Sequence, residues 1–124
     1  MATTGATFNS QLGDNAAMLC QWVLTGTNDG SPLDIDWIQW ADKSVQVGVT
    51  GDTFNAGTVI IEGSNNGIDW VTLHDSGGTN TLSFTSAGLK QMLEVTAYVR
   101  PRASVSVTQV TVIMCMRRPQ QLRV

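Results

Sequence analysis

Apolar residues recur at every second position along much of this chain, in short runs broken by clusters of Gly, Asn, Asp, Ser and Thr. A period of two is the strand pattern, because successive side chains point to opposite faces. Residues 44–50 show it most cleanly: Val45, Val47 and Val49 point one way, and Ser44, Gln46, Gly48 and Thr50 the other. Residues 108–117 repeat it at greater length. Val110, Val112, Met114 and Met116 share one face; Gln109, Thr111, Ile113, Cys115 and Arg117 share the other, and Pro119 ends the run. Residues 19–24 form the first strand-like run, followed by a dense turn cluster at 25–32. Residues 98–102 are expected to be extended, and Pro101, which has no N–H, argues for a sheet edge or a strand end.

Residues 57–73 predict two strands joined by a turn. Val59 and Ile61 face one way on the first strand; Val71 and Leu73 share a face on the second. Between them, Ser64-Asn65-Asn66-Gly67 supplies residues that tolerate positive φ, which favours a tight hairpin. The opposite face carries Ile60 and Trp70, which read either as a cross-strand stabilising pair or as an exposed partner contact. Residues 81–85 form a short alternating strand. After it, Leu89, Met92 and Leu93 stand at i, i+3 and i+4, which predicts a short helical connector over 86–94 with Thr85 or Ser86 as its cap. Residues 33–40 admit either a strand with two partly apolar faces or an irregular segment that wedges Trp37 and Trp40 into a sheet edge.

About seven or eight short strands at roughly ten-residue spacing predict an all-β, single-domain antiparallel β-sandwich, with immunoglobulin-like and jelly-roll topologies as the choices. The expected organisation is an N-terminal arm over residues 1–18, the sandwich over 19–117 and a C-terminal tail over 118–124. The 124 residues suit one core.

Composition changes the picture in one respect. Charged residues make up only 14% of the chain, against roughly 25% in an average soluble domain. A surface so poor in charge is covered by small polar residues or lies partly against other chains. The net charge of −3 carries no general nucleic-acid footprint. The charges are unevenly placed. Residues 1–99 hold two lysines and all ten carboxylates, whereas residues 100–124 hold five arginines and no acid. Such asymmetry suits electrostatic pairing between copies or with an acidic surface; equally, the last strands can simply lie beside acidic loops. The N-terminal residues lack the pattern of a signal peptide, and no run reaches the length of a membrane span. Cys20 and Cys115 lie in apolar runs near opposite ends of the chain. A disulfide would need those strands to pair; two buried free thiols in a protein made in a reducing cytoplasm are the expectation.

Candidate chemistry is sparse. His74 precedes Asp75 and Ser76, but neighbours in sequence point apart on a strand, and triads are assembled from distant segments. Asp34 and Asp36 could share a face; glycoside chemistry would also need a second wall at a defined gap, and a solvated loop fits them better. The turn near Glu62 and Asp69 lacks the alternating carboxylates of a calcium loop. No metal or cofactor site is expected, and an enzyme is not. Trp22, Trp37, Trp40 and Trp70 can build core, interface anchors or a sugar-stacking platform.

The stretch "VIIEGSNNGIDWVTLHDSGGTNTLSFTSAGLKQMLE" with "AYVRPR" resembles a family of small tailed-bacteriophage proteins encoded among head genes. The family's hairpin reads E-G-S-N/D-N/D-G-x-x-W-x-x-L, here Glu62 to Leu73. A G-x-x-L-S-F-T-x-x-G segment follows, here residues 79–88 with Thr79 at the first position, and then Y-x-R-P, here Tyr98, Arg100 and Pro101. The likeness spans residues 44–116. Its members are similar to the jelly-roll cement proteins that decorate capsids. The resemblance implies a non-enzymatic virion protein on the capsid surface, bound to the major capsid protein and to copies of itself as a dimer or trimer. Charge, run length and the motif search give the expectation of no nucleic acid, no membrane and no cofactor. The candidate partner contacts are Trp37, Trp40, Ile60, Trp70, Arg117, Arg118 and Arg123. The S-N-N-G-x-x-W hairpin also resembles discoidin-like sugar-binding sandwiches. A carbohydrate-binding module and a tail or connector component are therefore the alternatives.

Overall fold

A computed structural model describes residues 3–12, 17–33 and 41–117. These residues form eleven strands and no helix: β1 (Thr3–Thr4), β2 (Thr7–Leu12), β3 (Ala17–Gly26), β4 (Asp29–Gly30), β5 (Ala41–Val47), β6 (Thr58–Ser64), β7 (Val71–Thr72), β8 (Ser83–Phe84), β9 (Gly88–Gln91), β10 (Tyr98–Val105) and β11 (Val107–Arg117). The count exceeds the expected seven or eight because two-residue strands at turns and the first twelve residues also pair. The segment expected as an arm contributes β1, parallel to β4, and β2, antiparallel to β3.

One sheet runs β2-β3-β11-β5-β9; the other runs β1-β4-β10-β6-β7, with β8 also on β6. Outward from the β6–β7 connection the pairs are nested: β6 with β7, β5 with β9, β4 with β10 and β3 with β11. A long ribbon folded back on itself and rolled so that successive strands alternate between sheets produces this order.

The alternation seen in the sequence sets the faces. Cys20, Trp22 and Leu24 of β3, Val45 and Val47 of β5, and Val110, Val112, Met114 and Met116 of β11 are all fully buried. They meet Val59 and Ile61 of β6, Val99 and Ala103 of β10, and Leu73, Leu82 and Phe84 from the other sheet in a single core cluster. Burial of roughly twenty such side chains, each worth about 1.5–3 kcal/mol, drives the two sheets together. Trp22 sits wholly inside, and its indole N–H donates to the Ser31 carbonyl at 3.0 Å, so its one polar atom is satisfied.

Four expectations are corrected. The helical connector over 86–94 is instead strand β9, antiparallel to β5. Leu89 and Leu93 are exposed and Met92 is buried, so the side chains alternate and do not form one stripe. A helix here would leave the edge of β5 unpaired; the strand pairs it, and Met92 N–H extends the ladder by donating to the Lys43 carbonyl at 3.0 Å. Pro101 lies buried inside β10, between β4 and β6, and not at an edge. Val99 and Ala103 N–H donate away from β6, to Leu33 and Asn28 carbonyls, and the Pro101 ring fills the gap between them against Gly30. A Cβ on Gly30 would meet Pro101 Cδ at 2.7 Å.

The other two corrections concern the hairpin. It is not tight: β6 ends at Ser64, and residues 65–70 form a wider loop before β7. Val71 is 66% exposed and does not share the core with Leu73. Val71 stands opposite Gly63, whose inner side is filled by Leu73 and Thr96, so no room remains there for a valine.

Cys20 and Cys115 are free thiols, but of the two only Cys20 is buried as expected. Their strands do pair, but Cys20 lies opposite Met114 and points into the core, whereas half-buried Cys115 points outward. Burial pushes the Cys20 thiol up to about 12, which keeps it protonated and unreactive.

β5 ends at Val47 and the chain turns away through Gly48, at φ 88°. Between that point and the Thr53–Gln109 bridge, Asp52 takes the place of a strand neighbour to β11. Its Oδ2 accepts from Thr111 N–H at 2.6 Å and Val49 N–H at 3.0 Å. Its Oδ1 accepts from the Gln109 amide and the Thr111 hydroxyl, each at 3.3 Å. Burial pushes the carboxyl up, but these four donors outweigh it and hold its pKa below the usual value. A carboxylate with a depressed folded-state pKa adds stability that is present above its unfolded pKa, about 3.9, and is lost as pH falls through the folded value. Asp52→Asn, with one acceptor oxygen for four donors, is expected to unfold at lower urea concentration than the wild type at pH 7. That gap should close below about pH 4. A gap independent of pH would show that the carboxylate charge plays no part.

Candidate functional site

The outer face of the second sheet carries the largest polar grouping among the described residues. Arg100 and Arg102 stand two apart on β10, so they share a face, and Arg100 lies directly opposite Glu62 of β6. Arg100 Nε donates to Glu62 Oε1 at 2.8 Å, and Arg102 Nε donates to the same oxygen at 3.1 Å. Arg100 Nη1 reaches Asp29 Oδ2 of β4 at 3.0 Å, and Asp29 Oδ1 accepts from the Thr3 hydroxyl of β1 at 2.9 Å. Two cations and two anions thus cross three strands and balance one another, and the Thr3 hydroxyl ties in a fourth.

The burial of this grouping matters more than its size. The Glu62 side chain is 4% exposed, against 18% for Arg100, 13% for Asp29 and 30% for Arg102. Exposed ion pairs contribute about 0–1 kcal/mol; a buried carboxylate that loses its partners costs several times more. The Trp70 ring closes the arrangement, with the Arg100 guanidinium carbon 4.1 Å from its centroid. A stack of this kind adds about 0.5–2 kcal/mol and shields the Arg100–Glu62 pair from water.

The loop that delivers Trp70 is built by its own side chains. Ser64 Oγ accepts from the N–H groups of Asn66 and Gly67. Asn66 Oδ1 accepts from the N–H groups of Ile68 and Asp69. Gly67 has φ 73°, and the Tyr98 ring lies against it. Asn65 Oδ1 accepts from Ala97 N–H, which ties the loop to the start of β10. Short polar side chains that close turns on their own backbone explain the S-N-N-G wording. Asp69 Oδ2 accepts from the Asn66 amide, and among the described residues no group of three His, Cys, Asp or Glu is placed to hold a metal ion.

Of the residues singled out in the sequence, Trp70 joins this site. Ile60 lies on the same face, opposite Arg102 and Ser83, but is 8% exposed, so it is covered and offers no free contact. Trp37, Trp40, Arg118 and Arg123 lie outside the described residues, as do Asp34, Asp36 and the side chain of Arg117. Asp29, Glu62, Arg100 and Arg102 were not singled out as site residues. Two arginines of the basic end therefore lie beside acids of the same chain, the second of the two charge readings above. The alternation R-x-R over 100–102 was the available signal.

His74 pairs with Glu94, twenty residues away, and not with its neighbours. Its ring Nδ1 lies 2.6 Å from Glu94 Oε2, and its N–H donates to Glu94 Oε1 at 2.7 Å. Burial pushes the Glu94 carboxyl up, but the hydrogen bonds from His74 outweigh it and hold the pKa down. Asp75 Oδ1 is taken by Gly77 N–H. Among these groups no nucleophile, base and orienting acid are aligned.

No protein-family model and no curated protein sequence matches the chain. Solved structures do. The crystal structure of YomS, an SPBc2 prophage-derived protein, matches with a TM-score of 0.58 at 11% identity, over 94% of this chain and 96% of that one. An oxalate oxidase matches with a TM-score of 0.50 at 8% identity, over 92% of this chain and 51% of that one. At such identities the likeness shows the fold, an all-β sandwich.

Glu62→Ala is expected to lower the unfolding free energy by about 3 kcal/mol, because it leaves Arg102 without its carboxylate and Arg100 with Asp29 alone on a partly buried face. Trp70→Leu should cost no more than about 2 kcal/mol. Urea titration of both variants checks this; a Glu62→Ala loss below that of Trp70→Leu would remove the network as the main support of this face.

Proposed function

We propose that this chain is a non-enzymatic structural protein of a tailed-bacteriophage virion, a jelly-roll decoration protein that binds the major capsid protein shell and stabilises it. The observation that carries the reading is the likeness of the whole fold to a prophage-derived protein of nearly the same length, with neither chain overhanging the other by more than a short segment. Two further features support it. The nested strand pairing is that of a rolled double Greek key, the jelly-roll arrangement expected of such proteins. The motif residues Glu62, Trp70 and Arg100 meet in one place on the outer face of the second sheet.

The mechanism is contact area and repetition. A small protein that binds many equivalent positions on a symmetric shell needs only modest affinity at each, because engagement of one site raises the effective concentration at the next. A stiff sandwich suits the task, since little ordering entropy is lost on docking. The partners are the major capsid protein and further copies of this chain, as a dimer or trimer; no cofactor takes part.

Quantitative mass spectrometry of purified particles tests the reading. A decoration protein is expected on the order of hundreds of copies per particle, following the symmetry of the shell. A count between six and a few dozen would move the chain to a tail or connector ring, and its absence from particles would end the virion reading.

A further inference from the structure

The two outer faces of the sandwich differ in kind. On the six-stranded sheet the outward side chains include Asp29, Glu62, Arg100 and Arg102. On the five-stranded sheet the described outward side chains of the strands themselves carry no charge; the Asp52 carboxylate lies at one end of the face, held by Gln109 and Thr111. Along β3 the outward side chains are Leu19, Gln21 and Val23; along β11, Thr111, Ile113 and Cys115; along β5 and β9, Ser44, Gln46, Leu89 and Gln91. Ile113 stands at the middle, with Gln21 on one side and Gln46 on the other; Cys115 lies between Leu19 and Ser44. Leu89 is 67% exposed and Val23 37%.

We propose that this face joins two copies of the chain back to back about a twofold axis. The statement deepens the self-association part of the function proposed above, and rests on that reading only for its biological setting. A twofold contact sets one patch against itself, so any net charge on it meets like charge. In a chain with ten carboxylates and a net charge of −3, a face whose described centre, around Ile113, is uncharged is where two copies can approach without repulsion. Depletion of charge beside apolar and amide side chains also marks the centre of interfaces. The dimensions are adequate: five strands about 4.8 Å apart and about seven residues long at 3.4 Å each give roughly 600 Å² before side-chain relief is counted. That is near the lower end for a specific dimer, which is about 600–1,000 Å² per partner. A dimer that dissociates on dilution is therefore expected.

Sedimentation equilibrium of the full chain across a wide concentration range tests this. The wild type should pass from monomer to dimer. Ile113→Glu, which puts two carboxylates at the centre, should raise the dissociation constant at least about thirtyfold. Gln46→Lys, on a side chain already exposed, gives a second variant that keeps the fold and should weaken the dimer in the same direction. Cys115 is a built-in reporter. Since Cys20 is sealed in the core, the thiol titrated by a disulfide reagent should be Cys115, and it should react more slowly at concentrations where the dimer forms. A monomer at every concentration, a trimer, or a dimer unmoved by both variants would overturn the proposal. Particle binding by a strictly monomeric chain would overturn this face and leave the virion reading intact; a dimer with no copies on particles would do the reverse.

Discussion

The carboxylate of Glu62 is the point on which the second sheet turns. It is nearly sealed from water, and one of its oxygens serves two guanidiniums. Through Arg100 it ties β6 to β10, and through Asp29 the tie continues to β4 and to Thr3 of β1. These strands are short at one end, with only two residues each in β1 and β4, so backbone ladders alone hold them weakly. The desolvation cost of burying four charges is offset only because each finds its partner and Trp70 excludes water from one side. The hairpin loop, held open by Ser64 and Asn66, exists in this geometry to deliver that tryptophan.

The contrast between the two outer faces gives the molecule a direction. One sheet is stiffened by charges that are used up internally. The described outward side chains along the strands of the other are uncharged, over inward positions on β3, β5 and β11 that are buried. The two sheets therefore present surfaces of different chemistry, one bound up in its own ion pairs and the other lined by described side chains without charge. Rolled nesting of the strands makes this inexpensive in chain length. The innermost connection, β6 to β7, belongs to the same loop that carries Trp70, and the outermost pair, β3 with β11, supplies most of the uncharged face.

Much of the fold was legible because burial on one face leaves a period-two record. Val45 and Val47, the Val110 to Met116 series, and Val59 with Ile61 all point inward as their spacing required. The failures share a cause: they depend on partners far away in the chain. Leu89, Met92 and Leu93 fit a helix when read locally, and only the open edge of β5 makes them a strand. Pro101 signalled an edge, but Gly30, seventy-one positions earlier, makes room for it within the sheet. The charge network was half visible. The acidic body and the arginine-rich end were plain, yet nothing local pairs Asp29, in a turn cluster, with Arg100. Register across strands is what a single sequence leaves unwritten.

The outer face of the second sheet depends on the Glu62–Arg100 pair. A double-mutant cycle in urea, with Glu62→Ala, Arg100→Ala and the pair, tests it most directly. The account predicts a coupling energy of about 2 kcal/mol or more, since each single variant leaves the other charge buried. Losses that simply add, within about 0.5 kcal/mol, would contradict it.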